Sequence, residues 1–188
     1  MKAFNKERIT LSEGEWLKLE KLFYSDHHGV ARDWETATRM KTHGAVAMIA
    51  TIKPANKIIL IRQFRPPAGG YVIEFPAGLI DDSETPEHTA LRELTEETGY
   101  TGVIDSMLPP SFSSPGLSGE QVYLAFMSVD EHAAANMNLV TNFDEGEHVE
   151  TLTVDIAELN SFLNQKFKEG DFMDAKVLSF AQGIQFCN

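Results

Sequence analysis

Cysteine is almost missing: Cys187 stands alone in 188 residues, so no internal disulfide can form. Its place beside the C-terminus gives it no partner for a zinc site or a nucleophilic relay. Basic residues are scarce as well. Lys and Arg number 16 against 28 Asp and Glu, for a formal charge of −12, and a chain of that balance lacks the basic groove that a nucleic acid requires. No apolar run reaches the roughly 18 to 20 residues needed to span a bilayer, and the opening "MKAFNKERITLSEGEW" has no apolar centre of a secretory signal. A cytoplasmic protein that binds neither membrane nor nucleic acid is expected. Internal repeats, low-complexity tracts and histidines at metal-ligand spacing are absent too. The six histidines are scattered, with His27 and His28 in a turn and His148 beside Glu147.

What is present is enough apolar material for a core: 43% hydrophobic and 23% charged residues fit one globular unit with a small N-terminal appendage. Within residues 1–43, "EWLKLEKLFYSD" and "ARDWETATRM" alternate apolar and polar positions around "HHG", which predicts a hairpin turning at Gly29. From Gly44 the apolar density rises. "GAVAMIATI", "KIILIRQF" and "GYVIEF" read as buried strands separated by "KPAN" and "RPPAGG" turns, and "QVYLAFMSV" and "HVETLTV" as further strands. "IAELNSFLNQKFKEG" and "DAKVLSFAQGIQF" read as two terminal helices parted by Gly170. Strand and helix do not alternate regularly, which points to an α/β sandwich rather than a doubly wound sheet. The expected division is an N-terminal antiparallel β region over 1–43, suited to dimerisation, and a main domain over 44–188.

One helix is closely punctuated. Thr85 offers an N-cap hydroxyl, Pro86 suits the first helical position and Gly99 a left-handed stop, which predicts a helix over 86–98 with Ala90, Leu91, Leu94 and Thr98 on its inner face. Its outer part carries Glu93, Glu96 and Glu97 at three- and four-residue spacing. Like charges so placed repel by a few tenths of a kcal/mol per pair, and the C-terminal end of a helix dipole disfavours negative charge further. Something must offset them. A hard divalent cation would do so, since Mg²⁺ prefers carboxylate and water oxygens; a solvated acidic face is the plain alternative.

The wider spacing narrows that choice. Gly78, five residues, Glu84, seven residues, then Arg92-Glu93-Leu94-Thr95-Glu96-Glu97-Thr98-Gly99-Tyr100 resembles the Nudix hydrolase box, GX5EX7REUXEEXGU, at all nine defined positions across 23 residues. The resemblance implies a Nudix α/β/α sandwich of mixed sheets, with the N-terminal antiparallel β extension beside it. It also implies that Glu93, Glu96 and Glu97 hold Mg²⁺ or Mn²⁺ together with the carbonyl of Ala77, with Glu93 and Glu97 central to catalysis. Arg92 then pairs with Glu84 to support the site, and Gly78 shapes the loop.

Outside the box, "WETATRM", "RQFRPPAGGYVIEFPAG" and "SSPGLS", with Pro115 fifteen residues after Tyr100, resemble the ADP-ribose (ADP-sugar) pyrophosphatase group of that family. That group's chemistry is hydrolysis of the pyrophosphate of ADP-ribose to AMP and ribose 5-phosphate. The resemblance implies that Trp16 and Trp34 sandwich the adenine, one reaching across from a partner subunit of a homodimer, and that Glu35 bonds the base. Arg39 and Arg65 are candidates for the diphosphate and terminal ribose, because a guanidinium makes paired bonds to phosphate oxygens; Glu74 is carried over as a metal-side or substrate contact. For the general base, "FDEGEHVE" offers Asp144, Glu145, Glu147 and Glu150, of which Glu147 matches the family's loop glutamate. The rival readings are the same chemistry on another nucleotide, such as NADH or a dinucleoside polyphosphate, a noncatalytic ADP-ribose sensor, and an acidic Ca²⁺-binding domain.

Overall fold

Strand β4 (Ala45–Lys53) is buried on both sides, and its alternation divides the core in two. Val46, Met48, Ala50 and Ile52 join one apolar cluster, and Ala47 and Ile49 the other. A strand with period-two side chains can do this only inside a sheet covered on both faces. The computed structural model describes residues 2–143 and 148–187. Around β4 are β5 (Lys57–Arg65), β6 (Gly70–Glu74), β7 (Ala77–Leu79), β8 (Val103–Met107), β9 (Ser111–Phe112), β10 (Gln121–Asp130), β11 (Val149–Asp155) and β12 (Phe172–Met173). The main sheet runs β12-β6-β5-β4-β10-β8, with β7 added to β4, β9 to β10 and β11 to β5. It is mixed: β4–β10 and β6–β12 are parallel pairs and the others antiparallel.

Helix α1 (Pro86–Thr98) covers one face through Ala90 and Leu94. On the other face, α2 (Leu159–Glu169) and α3 (Ala175–Cys187) contribute Leu159, Leu163, Val177 and Ala181, packed against Ile58, Leu60, Ile73 and Phe75. This is the three-layer sandwich expected from the sequence. The buried stripe of α1 is Thr89, Ala90, Leu94, Glu97 and Thr98, and Leu91, expected inward, is exposed. It lies 60° around the helix from Leu94, beyond the edge of the stripe. Among the described residues no helix is long and apolar enough to cross a membrane.

The N-terminal region forms its own antiparallel sheet, β1 (Phe4–Glu13), β2 (Leu17–Ser25) and β3 (Ala31–Arg39), in that order. The expected hairpin is β2–β3. Asp26 organises its turn by accepting from the backbone N–H groups of His28 and Val30, both at 2.9 Å, and Gly29 takes a φ of 83°. β1 was not foreseen. All its residues are exposed, so no clean alternation marks it; its order comes from pairing with β2.

Candidate active site

Strands β4 and β5 pair at only two positions, Thr51 with Ile58 and Ile52 with Lys57. Beyond these the two strands part: β4 takes β7 as its neighbour over Ala45 to Ala47, and β5 takes β11 along its length. The last turn of α1 bridges the parting. A helix end leaves carbonyls without intrahelical donors, and here they are met from several sides. Thr95 O accepts from Gly99 N at 2.8 Å, Glu96 O from Asn142 N at 2.9 Å and Glu97 O from the Thr151 hydroxyl at 3.2 Å. The chain on either side of residues 144–147 is thereby tied to consecutive carbonyls of α1. Neither Asn142 nor Thr151 stands out in the sequence, because their partners are backbone atoms.

The start of α1 follows its sequence signals. Thr85 accepts from His88 N at 3.2 Å, Pro86 opens the helix, and Gly99 closes it with a φ of 74°. Glu97, an acid on the inner stripe, is buried and accepts a hydrogen bond from Ala77 N of β7 at 3.0 Å. Glu93 lies over Gly78, where an added Cβ would stand 2.0 Å from the Glu93 carboxyl carbon. Only glycine permits that approach.

Arg92 binds the remaining acids. Its Nε and Nη2 donate to the two oxygens of Glu84 at 2.9 and 2.8 Å, the paired geometry a guanidinium favours. Its Nη1 donates to Glu93 and Glu96, both at 2.8 Å. Glu84 also accepts from the buried Thr89 hydroxyl at 2.7 Å and meets His88 Nδ1 at 2.9 Å. Hydrogen bonding from Arg92, then from Thr89, holds the Glu84 carboxyl down to about 2 from an ordinary value of 4.5. Glu84 in turn is the largest cause that raises the Arg92 guanidinium above its ordinary value. The chain thus supplies much of the offset that the acidic stripe demanded: a guanidinium for Glu93 and Glu96, a backbone N–H for Glu97.

In this arrangement no group of three acidic, histidine or cysteine side chains among the described residues is posed to hold a metal ion. The donor chemistry nevertheless fits one. Glu93, Glu96 and Glu97 offer only hard oxygens, those of Glu93 and Glu97 against the β7 backbone at Gly78 and Ala77, the set that a divalent cation of the Mg²⁺ kind selects.

The other sequence-derived residues fall in two places. Arg65 Nε donates to Glu74 at 2.7 Å across the β5–β6 pair, so these two candidates are partners of each other. Trp34, Glu35 and Arg39 lie on β3, and the 116–120 segment docks along that strand. Trp34 Nε1 donates to Gly116 O at 3.0 Å, Thr36 Oγ1 and Ala37 N to Leu117 O, both at 2.9 Å, and Arg39 Nε to Glu120 at 2.7 Å. The Trp34 ring is held by its edge and stays 49% exposed. Glu35 is exposed and, as its strand neighbour, points to the opposite face.

Trp16 sits just before β2, 62% exposed, with Lys41 Nζ 5.1 Å from its ring centroid. In the β2–β3 register Leu17 opposes Arg39 and Leu22 opposes Trp34, which sets the two tryptophans at least roughly 16 Å apart at strand spacing. Within one chain they do not flank a common ring. Asp144, Glu145 and Glu147 lie outside the described residues. Glu150, grouped with them in the sequence, belongs to β11 and pairs with Arg62 Nη1 at 3.4 Å.

Comparison with known proteins agrees with this geometry. The NUDIX domain family model matches residues 41–175. The chain is 37% identical over 182 residues to the ADP-ribose pyrophosphatase of Saccharomyces cerevisiae, covering 92% of this chain and 78% of that protein. It is 35% identical over 186 residues to the ADP-sugar pyrophosphatase of Mus musculus, covering 95% and 85%. A crystal structure of an ADP compounds hydrolase superposes with a TM-score of 0.63 at 20% identity, over 87% of this chain and 84% of its own, a likeness that speaks for the fold.

Proposed function

The chain belongs to the Nudix hydrolase family, and on that premise we propose that it hydrolyses the pyrophosphate of ADP-ribose, with water, to AMP and ribose 5-phosphate. The observation that carries this is the gathering of the α1 acids where β4 and β5 part: Glu97 turned onto β7, Glu93 over Gly78, and Arg92 forked between Glu84 on one side and Glu93 and Glu96 on the other. Relatives named for ADP-ribose and ADP-sugars support the choice of substrate.

Glu93, Glu96 and Glu97, with the carbonyl of Ala77, would hold the divalent cation, which we take to be Mg²⁺, with Mn²⁺ suited to the same oxygens. A bound divalent cation polarises phosphoryl oxygens and lowers the pKa of bound water. Arg92 Nη1 steadies Glu93 and Glu96 from one side, while Nε and Nη2 keep Glu84 in place. Arg39 and Arg65, the latter beside Glu74, bind the diphosphate and terminal ribose, and Glu147 takes the proton from the attacking water. Trp34 offers the adenine a ring already fixed by Gly116. The separation of Trp16 from Trp34 supports a site completed by a second subunit, in which Trp16 of one protomer faces Trp34 of its partner. The exposed apolar residues Ile9, Leu17 and Leu19 of the N-terminal sheet give such a homodimer its contact surface.

The test is turnover of ADP-ribose with Mg²⁺ by the wild type and by Glu97→Gln. The amide oxygen can still accept from Ala77 N, so the variant keeps its fold and loses turnover. Equal rates in a folded variant would refute the reading.

A further inference from the structure

The N-terminal sheet contains a buried carboxylate that the proposed reaction leaves without a task. Glu20 of β2 is buried and accepts hydrogen bonds from Arg8 Nη1 at 3.1 Å and from the Thr38 hydroxyl. A carboxylate taken out of water needs such partners, yet a pair of this kind adds little stability over an apolar replacement. Its effect here is to aim a side chain. Arg8 leaves β1, remains 53% exposed, and opens onto a cavity of about 330 Å³ between the sheet and residues 118–121. Thr36, Thr38, Arg39, His43 and Gln121 line the same cavity.

The two guanidiniums there are anchored alike. Glu20 engages Nη1 of Arg8, and Glu120 engages Nε of Arg39. Among the described residues the other nitrogens of Arg8 make no hydrogen bond. Two guanidiniums, each held by one carboxylate and with donors left over, face one polar cavity, the arrangement that binds phosphate oxygens with little loss of side-chain freedom. We propose that Arg8 is a substrate-contacting residue, aimed by Glu20 and Thr38, that donates to the phosphate oxygens of the nucleoside diphosphate in the cavity it shares with Arg39. This assignment rests on the nucleotide reading above.

The experiment compares wild type, Arg8→Ala, Arg8→Lys, Glu20→Gln and the Arg8→Ala/Glu20→Gln double variant with ADP-ribose and Mg²⁺. Arg8→Ala leaves buried Glu20 with Thr38 alone, so its fold is checked by urea unfolding, and the Arg8→Ala/Glu20→Gln variant removes the stranded charge together with its partner. Loss of a charge-assisted contact raises KM about tenfold with kcat unchanged, and lysine restores part of it. Glu20→Gln raises KM less, and adding it to Arg8→Ala changes nothing further, since a positioning residue acts only through what it positions. If the wild type cleaves ADP-ribose and Arg8→Ala leaves KM unchanged, this assignment alone falls. If the wild type neither binds nor cleaves any ADP-sugar, the proposed function falls and takes the assignment with it.

Discussion

Gly78 lies directly beneath the side chain of Glu93, so close that a methyl group on Gly78 would stand 2.0 Å from the carboxyl carbon and 2.1 Å from Oε1. The three nearest atoms all belong to the Glu93 side chain, which can swing aside. Gly78→Ala therefore folds but displaces Glu93. Misplacement of a reacting group by about 1 Å costs on the order of a hundredfold in rate. We expect that loss in kcat with a melting temperature close to wild type; a variant that melts early and retains its specific rate would contradict the relationship.

Glu84 links stability to acid. Its folded carboxyl titrates near 2 and its ordinary value is 4.5, so the stability it contributes is fully present above about 4.5 and is lost as pH falls toward 2. Glu84→Gln removes that dependence. Urea unfolding should show wild type the more stable at pH 7, with the gap to the variant narrowing across that window. A gap that is constant with pH would mean that Arg92 and Thr89 do not depress this carboxyl.

Trp34 is fixed through Gly116 with its ring half open. Loss of one stacked base contact is worth about 1–3 kcal/mol, so Trp34→Ala should raise the KM for ADP-ribose by about tenfold or more, and Trp34→Phe by less. An equal effect of both variants would point to the indole N–H, and so to the loop, rather than to the ring face.

The spacing of Trp16 and Trp34 yields a mixing experiment. If each site takes one tryptophan from each subunit, combining Trp16→Ala with Trp34→Ala chains by unfolding and refolding together creates heterodimers with one intact site. Activity at low ADP-ribose should then exceed that of either variant alone. No gain would place both rings in the service of a single chain or of none.

Leu94 is fully buried between α1 and the sheet. Leu94→Ala should cost about 2–5 kcal/mol, read as a lower urea midpoint. Leu91→Ala, on the exposed flank of the same helix, should cost far less.

Local chemistry made much of this molecule legible in its sequence. Thr85, Pro86 and Gly99 bound α1 because capping and left-handed geometry act within a few residues, and the apolar runs of β4, β5 and β10 mark strands buried on both faces. The box from Gly78 to Tyr100 was legible for the same reason: its spacing is set by one loop and one helix. What depended on distant segments was not. β1 is exposed along its length and is ordered by β2; Glu97 turns inward because β7 presents Ala77 N; Glu96 and Glu97 are capped by Asn142 and Thr151. The pairings of Arg39 with Glu120, Arg65 with Glu74 and Arg8 with Glu20, and the gap between the tryptophans, follow from sheet register. Register is a property of strands brought together, and no window of sequence contains both sides of it.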